Sequence, residues 1–315
     1  MTTNLLQPIE ARFQPLTPYY KTERGMAYLG DSRNLLDQLA DDSINLVVTS
    51  PPFALRKKKN YGNEDAEHYI SWFTEFAKKV KRVIKDDGSF VIELGGAWLP
   101  GQPLRSIYHY ELLIELVKNE GFFLAQEFFW FNPAKMPGPA QWVTINRARC
   151  TDAVNTIWWL SKTDHPKANN KQVLQPYSES MKRLIVKGYN KGKRPSGHVV
   201  SDKWQKDLGG AIPKNLIQIS NTSSSDIYQR LCRENEIPLH PARFPIKLPE
   251  FFIKFLTNED DIVLDIFAGS NVSGAVAENL NRFWLGFEMR RDFLEASKFR
   301  FSLPVNSQIA QNKKF

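Results

Sequence analysis

Two short motifs, more than 200 residues apart, place small and polar side chains directly after apolar runs. Thr49-Ser50-Pro51-Pro52-Phe53 follows the run at 44–48, and Asp265-Ile266-Phe267-Ala268-Gly269-Ser270 follows the run at 262–264. A short apolar run bounded by turn residues predicts a buried strand. Open α/β sheets bind their ligands at the carboxyl ends of such strands. Both motifs are therefore predicted to lie at the ligand-binding edge of one sheet.

The second motif has the composition of a ligand-binding loop. Ala268, Gly269 and Ser270 are small enough for a ligand to approach the backbone closely, and the helix predicted after them adds a positive end. The chain contains no G-x-G-x-x-G pattern, so a dinucleotide pyrophosphate is not favoured. Glu288 is predicted to end the neighbouring strand, where its carboxylate could accept two hydrogen bonds from a ribose.

Composition and charge indicate a folded protein with a localised basic surface. The 315 residues are 42% hydrophobic, which suits one large α/β domain with a smaller lobe. Residues 161–215 hold twelve Lys or Arg and four Asp or Glu, so this segment accounts for the whole net charge of +8. Such a field favours a polyanionic partner such as nucleic acid. A solvated basic surface is the alternative interpretation.

The cysteines and the N-terminus indicate an intracellular protein without a metal cofactor. Cys150 and Cys232 have neither the spacing of a zinc site nor that of a disulfide framework. No signal pattern or membrane-length apolar run occurs, so a cytosolic location is predicted.

The first half of the chain alternates strand and helix patterns, which predicts βαβ units. Ser32 is predicted to cap the first helix, Asn63 to cap the second and Asp87-Gly88 to end it, while Ser106 begins the third helix and Gly121 stops it. Strands are predicted at 27–29, 44–48 and 90–94, with a hairpin from 122–131 and 153–160.

The pattern then dissolves between 161 and about 240, and a stretch of this length indicates a functional insertion. Helix and strand patterns resume with a helix at 245–256, a strand at 262–264, a helix at 272–280, a strand at 283–287 and a final helix from about 290. The predicted organisation is a loose leader (1–24), a catalytic half (25–160), a target-recognition region (161–240) and a cofactor-binding half (241–315).

Both motifs resemble those of the amino-methylating DNA methyltransferases. In that family a Ser-Pro-Pro-Phe loop holds the target base and an Asp-x-Phe-x-Gly-Ser loop holds S-adenosylmethionine; the order here is that of the permuted beta class. The resemblance extends over nearly the whole chain from about residue 20, through stretches at 23–32, 87–90, 130–133, 152–156, 194–198 and 240–249. It implies a Rossmann-like methyltransferase fold: a mixed, mostly parallel sheet with helices on both faces, circularly permuted motif order and an inserted DNA-recognition lobe.

The resemblance also implies roles for particular residues. Ser50, Pro51, Pro52 and Phe53 would act on the target base, with Glu93 as the candidate that receives or supports a proton. The cofactor would be held by Asp31, Asp265, Phe267, Ala268, Gly269, Ser270 and Glu288. The candidate DNA contacts are Lys57, Lys58, Lys191, Lys193, Arg194, Ser196 and His198.

The first motif suits methylation of an exocyclic amine. Two hydrogen-bond acceptors, Ser50 Oγ and the Pro51 carbonyl, would favour the pyramidal amine whose lone pair attacks a methyl group, and Phe53 offers a stacking face. Ser at this position favours cytosine N4 in the family, whereas Asp or Asn is usual for adenine N6, which remains the alternative. Carbon-5 methylation is disfavoured, because neither cysteine follows a proline.

Other interpretations stay open at this point. Glu93 could be a structural carboxylate, and it departs from the family pattern, in which a close member has Asp. A catalytically silent DNA-binding module on the same fold is the different-class alternative. The implied partners are double-stranded DNA, with CAGCTG as the first sequence to test, and a type II restriction endonuclease that need not bind the protein. The implied product is S-adenosylhomocysteine, the implied oligomeric state a monomer or weak dimer, and the implied location the cytoplasm, at the nucleoid.

Overall fold

The apolar runs of the sequence form the strands of one nine-stranded sheet. The computed structural model describes residues 16–54, 68–188, 192–193, 195, 199–200, 206–221, 227–242 and 244–302. The strands are β1 (Tyr20–Lys21), β2 (Gly25–Leu29), β3 (Ile44–Thr49), β4 (Ile84–Leu94), β5 (Phe123–Phe131), β6 (Val154–Ser161), β7 (Gly192–Lys193), β8 (Val199–Val200), β9 (Leu216–Gln218), β10 (Ile262–Asp265) and β11 (Phe283–Glu288). Strands β7 and β8 pair separately from the main sheet.

Helices cover the sheet. They are α1 (Ser32–Asp37), α2 (Tyr69–Val83), α3 (Tyr108–Lys118), α4 (Glu179–Lys187), α5 (Ile227–Glu234), α6 (Lys247–Leu256), α7 (Val272–Asn279) and α8 (Arg291–Ser297). A π-helix (Gln141–Ile145) and two 3-10 helices (Asn170–Val173 and Lys298–Arg300) are also present.

The sheet is mixed and mostly parallel, as predicted. Its order is β1-β2-β11-β10-β3-β4-β6-β5-β9. In this order the neighbouring strands β2, β11, β10, β3 and β4 are parallel to one another, and β5 is parallel to β9. Strand β1 is antiparallel to β2, and β6 is antiparallel to both of its neighbours, β4 and β5. The carboxyl ends of β2, β3, β4, β5, β10 and β11 consequently lie along the same edge of the sheet.

Alternate residues of each strand point to opposite faces, so the sheet separates two apolar cores. Val47 packs in the core beneath α1, α2 and α3, while its neighbours Leu46 and Val48 pack in the core beneath α6, α7 and α8. Every residue of β3 is buried, which explains why the central strand is mostly apolar; the buried Asn45 accepts at Oδ1 from the Ile262 N–H at 3.0 Å. The predicted helices on both faces are confirmed.

The two ends of the chain interleave in the sheet. Strand β10 lies between β3 and β11, and β11 in turn pairs with β2. The strand that ends at Asp265 is therefore the direct neighbour of the strand that ends at Thr49. Two motifs that are far apart in the sequence, in permuted order, are therefore neighbours in the fold.

Two local predictions were wrong. Helix α2 ends at Val83, and Asp87-Gly88 lies inside β4 at an irregularity in its pairing with β3. The polar stretch that resembles a turn is a bulge, where a Cβ on Gly88 would lie 2.9 Å from the Lys85 carbonyl oxygen. The N-cap of α1 is Asp31, because Asp31 accepts from the Arg33 N–H, while Ser32 Oγ donates to the Ile266 carbonyl at 2.5 Å.

Two other predictions need qualification. Tyr20 and Lys21, inside the predicted loose leader, pair with β2. The predicted cap Asn63 lies outside the described residues, and His68 occupies the N-cap of α2.

The predicted recognition region (161–240) is joined to the main sheet and its helices at several points. Strand β9 extends the sheet beside β5, the Asn169 N–H donates to the Phe255 carbonyl at 2.7 Å, and α5 packs against α8. The division into leader, halves and recognition region stays a prediction. Within the described ranges, no helix is long and apolar enough to cross a membrane.

Candidate active site

A cleft of about 620 Å³ opens at the carboxyl edge of the sheet. Both sequence motifs contribute to its walls, together with residues from the ends of β2, β4, β5, β6 and β11. The predicted catalytic and cofactor-binding residues all line it: Asp31, Ser50, Pro51, Pro52, Phe53, Glu93, Asp265, Phe267, Ala268, Gly269, Ser270 and Glu288.

A buried hydrogen bond connects the two motifs. Thr49 Oγ1 donates to Asp265 Oδ1 at 2.7 Å, across the parallel pair of β3 and β10. The same carboxylate accepts from the Phe267 N–H at 3.1 Å and from Ser273 Oγ at 2.7 Å. Burial raises the pKa of Asp265, although these three donors oppose the rise. Asp265 therefore holds its own loop, the start of α7 and the first motif in one arrangement.

Ser50 belongs to a second hydrogen-bonded group at the end of β4. Its Oγ donates to Glu93 Oε2 at 2.6 Å, and Asn155 Nδ2 donates to Glu93 Oε1 at 2.6 Å. Glu93 and Asn155 come from adjacent antiparallel strands, whose register pairs Glu93 with Ile157. Because the Ser50 hydroxyl donates its hydrogen bond to Glu93, the lone pairs of its oxygen stay available to accept a hydrogen bond from a ligand.

Glu93 has properties suited to exchanging a proton near neutral pH. Only 3% of its surface is exposed, and burial raises the pKa of Glu93 to about 7. The hydrogen bonds from Ser50 and Asn155, and the positive charge of Lys135, limit that rise because they favour the ionised carboxylate.

The 265–270 loop has a backbone shape that its sequence permits. Gly269 has φ +51°, and a Cβ there would lie 2.8 Å from the His240 ring. Asn271 follows, also left-handed, and caps α7 by accepting from the Gly274 N–H at 3.1 Å. Gly269 thus meets both a conformational and a spatial requirement.

Glu288 lies at the end of β11, facing this loop. Its Oε2 accepts from the Gly269 N–H and its Oε1 from the Arg290 N–H, both at 2.9 Å. Burial raises the pKa of Glu288, and the two backbone donors oppose that rise. Each carboxylate oxygen keeps further lone-pair capacity, which suits it to accept hydrogen bonds from the hydroxyls of a ligand.

Asp31 lines the same end of the cleft. Its carboxylate forms a fork-like ion pair with Arg33, with the shortest contact 2.6 Å, and this pairing lowers the pKa of Asp31. The group stays ionised at neutral pH. The wall beside it is aromatic, because the Phe267 ring lies 5.0 Å from Phe76 and 5.8 Å from Trp72, centre to centre.

Several cleft residues had no assigned role in the sequence analysis. Asn155 and Trp130 fall in stretches that carried the family resemblance, whereas Trp72 and Phe76 lie on helix α2, outside those stretches. The cleft-lining residues of this kind are Arg33, Trp72, Phe76, Trp130, Asn132, Lys135, Asn155, Asn221, His240 and Arg290. Helical periodicity alone could not distinguish a cleft wall from the core.

The predicted DNA contacts fall on the part of the chain for which side chains are not described. Lys57, Lys58, Lys191, Arg194, Ser196 and His198 lie outside the described residues, and Lys193 is described only by its backbone in β7. Their role stays a prediction.

Two residues counted in the basic segment are neutralised by acids elsewhere. Lys167 Nζ lies 2.6 Å from Asp261 Oδ2, and Lys162 pairs with Asp42 and Asp86. Part of the positive charge of the basic segment therefore forms ion pairs that attach the segment to the rest of the protein.

The sheet and this cleft define the class of the protein as a Rossmann-like methyltransferase of the S-adenosylmethionine-dependent fold. The solved structure of the M1.HpyAVI–SAM complex shares that fold, with a TM-score of 0.52 and 19% identity over 89% of this chain and all of that one. Residues 44–299 match the family described as DNA methylase, of the N6 and N4 type. The chain belongs to the DNA methylase family.

Two comparisons are much closer. The type II methyltransferase M.PvuII of Proteus hauseri is 50% identical over 299 residues, which are 94% of this chain and 88% of that protein. The solved PvuII DNA methyltransferase, described as cytosine-N4-specific, superposes with a TM-score of 0.74 at 46% identity, covering 90% of this chain and 88% of that one. The family resemblance predicted from the motifs is confirmed.

Proposed function

We propose that the protein is a site-specific DNA methyltransferase that transfers a methyl group from S-adenosylmethionine to N4 of a cytosine flipped out of duplex DNA. The observation that carries this proposal is the shared cleft, in which the Ser50–Glu93 pair and the 265–270 loop are joined by the Thr49–Asp265 hydrogen bond. The named activity of the PvuII enzyme, at about half identity over nearly the full chain, supports cytosine N4.

The residues at one end of the cleft fit S-adenosylmethionine. Glu288 offers carboxylate oxygens for ribose hydroxyls, and the Trp72 and Phe76 rings offer faces for an adenine. Small residues at 268–270 leave the backbone open to the amino-acid portion of the ligand. When bound, the cofactor supplies an electrophilic methyl group and leaves as S-adenosylhomocysteine.

The residues at the other end fit a cytosine amine. Ser50 Oγ has lone pairs free because its proton is directed to Glu93, and the Pro51 carbonyl provides a second acceptor. Accepting both amine hydrogens draws the nitrogen towards a pyramidal geometry, in which its lone pair can form the new N–C bond. Phe53 supplies an aromatic face beside the base.

The proton released from the methylated amine has a path through the chain's own residues. The amine proton passes to Ser50 Oγ while the Ser50 proton passes to Glu93 Oε2, over the 2.6 Å hydrogen bond. Ser50 ends unchanged and Glu93 ends protonated. A carboxyl with a pKa of about 7 can both accept this proton and return it to water.

Nucleoside mass spectrometry tests the proposed product. DNA treated with the protein and S-adenosylmethionine should contain N4-methylcytosine; N6-methyladenine without N4-methylcytosine would instead identify an adenine enzyme. Absence of both products and of cofactor binding in calorimetry would favour a silent DNA-binding module. The matched control is the same DNA incubated without cofactor.

The proposal extends to the biological setting. The similarity to a type II methyltransferase supports a role in protecting DNA from a cognate restriction endonuclease. We propose that the protein acts in the cytoplasm, as a monomer or weak dimer. Sequencing of modified positions in mixed DNA would identify the recognition site, with CAGCTG as the first candidate.

A further inference from the structure

An exposed hydrophobic side chain lies next to the base end of the cleft. Met136 is 81% exposed, and among the large hydrophobic side chains of the described residues only Val186 is more exposed. Met136 directly follows Lys135, which lines the cleft. Met136 itself does not line the cleft.

The segment that carries Met136 starts at the functional edge of the sheet. It follows β5 and runs to β6, and the Asn132 N–H donates to the Ala153 carbonyl at 2.8 Å to close its base. The Lys135 N–H donates to the Asn132 carbonyl at 3.1 Å, which makes a turn directly before Met136. The side chain is thus presented at a defined place beside the cleft.

The rest of this segment is tied to the body of the protein. Asp152 pairs with Arg105 at 3.0 Å, and the Arg149 guanidinium lies 3.9 Å above the Trp98 ring. Pro137 follows Met136 directly and restricts the backbone of the tip. A segment that is anchored at both ends loses less conformational freedom on binding than a free one, so burying its side chain in a partner is more favourable.

Flipping a base leaves a gap in the DNA stack, and apolar wedges such as Met, Leu or Phe stabilise unstacked steps in other DNA-binding proteins. An unbranched thioether adapts to an irregular gap. We propose that Met136 enters the duplex from beside the cleft and fills the space that the target cytosine leaves. This inference rests on the proposed function, since only a flipped base creates that space.

Single-turnover methyl transfer on two DNA duplexes tests the role of Met136. One duplex carries the mapped recognition site intact, and the other has an abasic position opposite the target cytosine, where flipping costs less. Met136→Ser should slow transfer on the intact duplex on the order of tenfold, which corresponds to losing about 1.4 kcal/mol of the few kcal/mol that unstacking costs. On the abasic duplex it should perform close to the unaltered protein.

Met136→Leu retains an apolar side chain and should stay near the unaltered rate on both duplexes. Ile114→Ala is the matched control, because Ile114 is an exposed apolar side chain (60%) on α3 and does not line the cleft. Equal rates for Met136→Ser and the unaltered protein on the intact duplex would overturn the proposal. So would an equal loss on both duplexes, or an equal loss in the Leu variant.

The proposed function and the wedge fail in distinguishable ways. If the unaltered protein methylates cytosine on neither duplex, the function itself is wrong. If it methylates both and Met136→Ser does so equally well, only the wedge is wrong. Calorimetric binding of S-adenosylmethionine should be the same for all variants.

Discussion

The direction of the Ser50 O–H bond determines whether the Ser50 oxygen can accept a hydrogen bond in the cleft. The hydroxyl donates to a buried carboxylate at 2.6 Å, so under the proposed function its oxygen would meet the base amine as an acceptor. A serine whose proton pointed into the cleft would compete with the amine hydrogens. The pairing with Glu93 therefore sets the role of Ser50.

Ser50→Ala removes this acceptor and should lower methyl transfer by about a hundredfold or more, the scale of a lost acid–base group. Binding of S-adenosylmethionine should change little, because the other end of the cleft is untouched. Single-turnover kinetics and calorimetry measure the two effects. Transfer at a near-normal rate would remove Ser50 from the mechanism.

Glu93 predicts how activity depends on pH. The carboxylate must be ionised to accept a proton, and its pKa is raised by burial to about 7. Activity, measured as kcat/KM, should therefore fall as the pH drops below about 7 and level off above it. Glu93→Gln should be slow throughout and lack this step; a variant that keeps the same pH profile would show that another group is titrating.

Asn155 should tune that profile. Its hydrogen bond to Glu93 favours the ionised carboxylate and lowers the pKa of Glu93. Asn155→Leu removes the donor while keeping the site apolar, so the midpoint of the pH profile should move to higher pH. A midpoint that stays in place would mean that Asn155 supports the structure only.

At the scale of elements, adjacent strand ends bring the two motifs together. Asp265 satisfies three donors from β3, its own loop and α7 while it stays 4% exposed. A buried carboxylate with this many partners is costly to disturb, because each lost donor leaves charge without compensation. In the described structure Asp265 fixes the 265–270 loop against the Thr49–Phe53 motif.

Thr49→Val keeps the shape of the side chain but removes the donor to Asp265. We expect a loss of about 1 to 3 kcal/mol in the free energy of unfolding, together with weaker cofactor binding. Urea unfolding and calorimetry measure these. Thr74→Val is the control, because the Thr74 hydroxyl bonds only to the Ile70 carbonyl of its own helix among the contacts described. Equal effects of both substitutions on cofactor affinity would contradict the link between the loops.

The sequence predicted the strand ends well because apolar runs closed by small or polar residues mark them without ambiguity. Thr49 and Asp265 were placed at strand ends on these grounds, and β3 and β10 confirm it. Gly88 was misread, because a bulge uses the same polar and glycine residues as a turn. Asn155 was missed as a partner of Glu93, because their proximity depends on a strand register that no local pattern records.

At the scale of the whole molecule, part of the charge of the basic segment attaches that segment to the sheet. Lys162 and Lys167 form ion pairs with acids outside the basic segment, so their charges help to hold the segment to the sheet. A cation that is already paired with a carboxylate is less available to neutralise a DNA phosphate, and therefore to release a counterion from the DNA.

Arg194 and Lys167 should therefore behave differently in DNA binding. If Arg194 contacts a phosphate, as its place in the basic segment predicts, Arg194→Ala should weaken binding and reduce the slope of log affinity against log salt by about 0.9. Lys167→Ala removes one positive charge from the same segment, but that charge is paired with Asp261 at 2.6 Å, so the slope should stay near that of the unaltered protein. Fluorescence anisotropy of labelled duplex at several salt concentrations gives both slopes. Equal reductions would show that total charge, and not the position of each charge, governs binding.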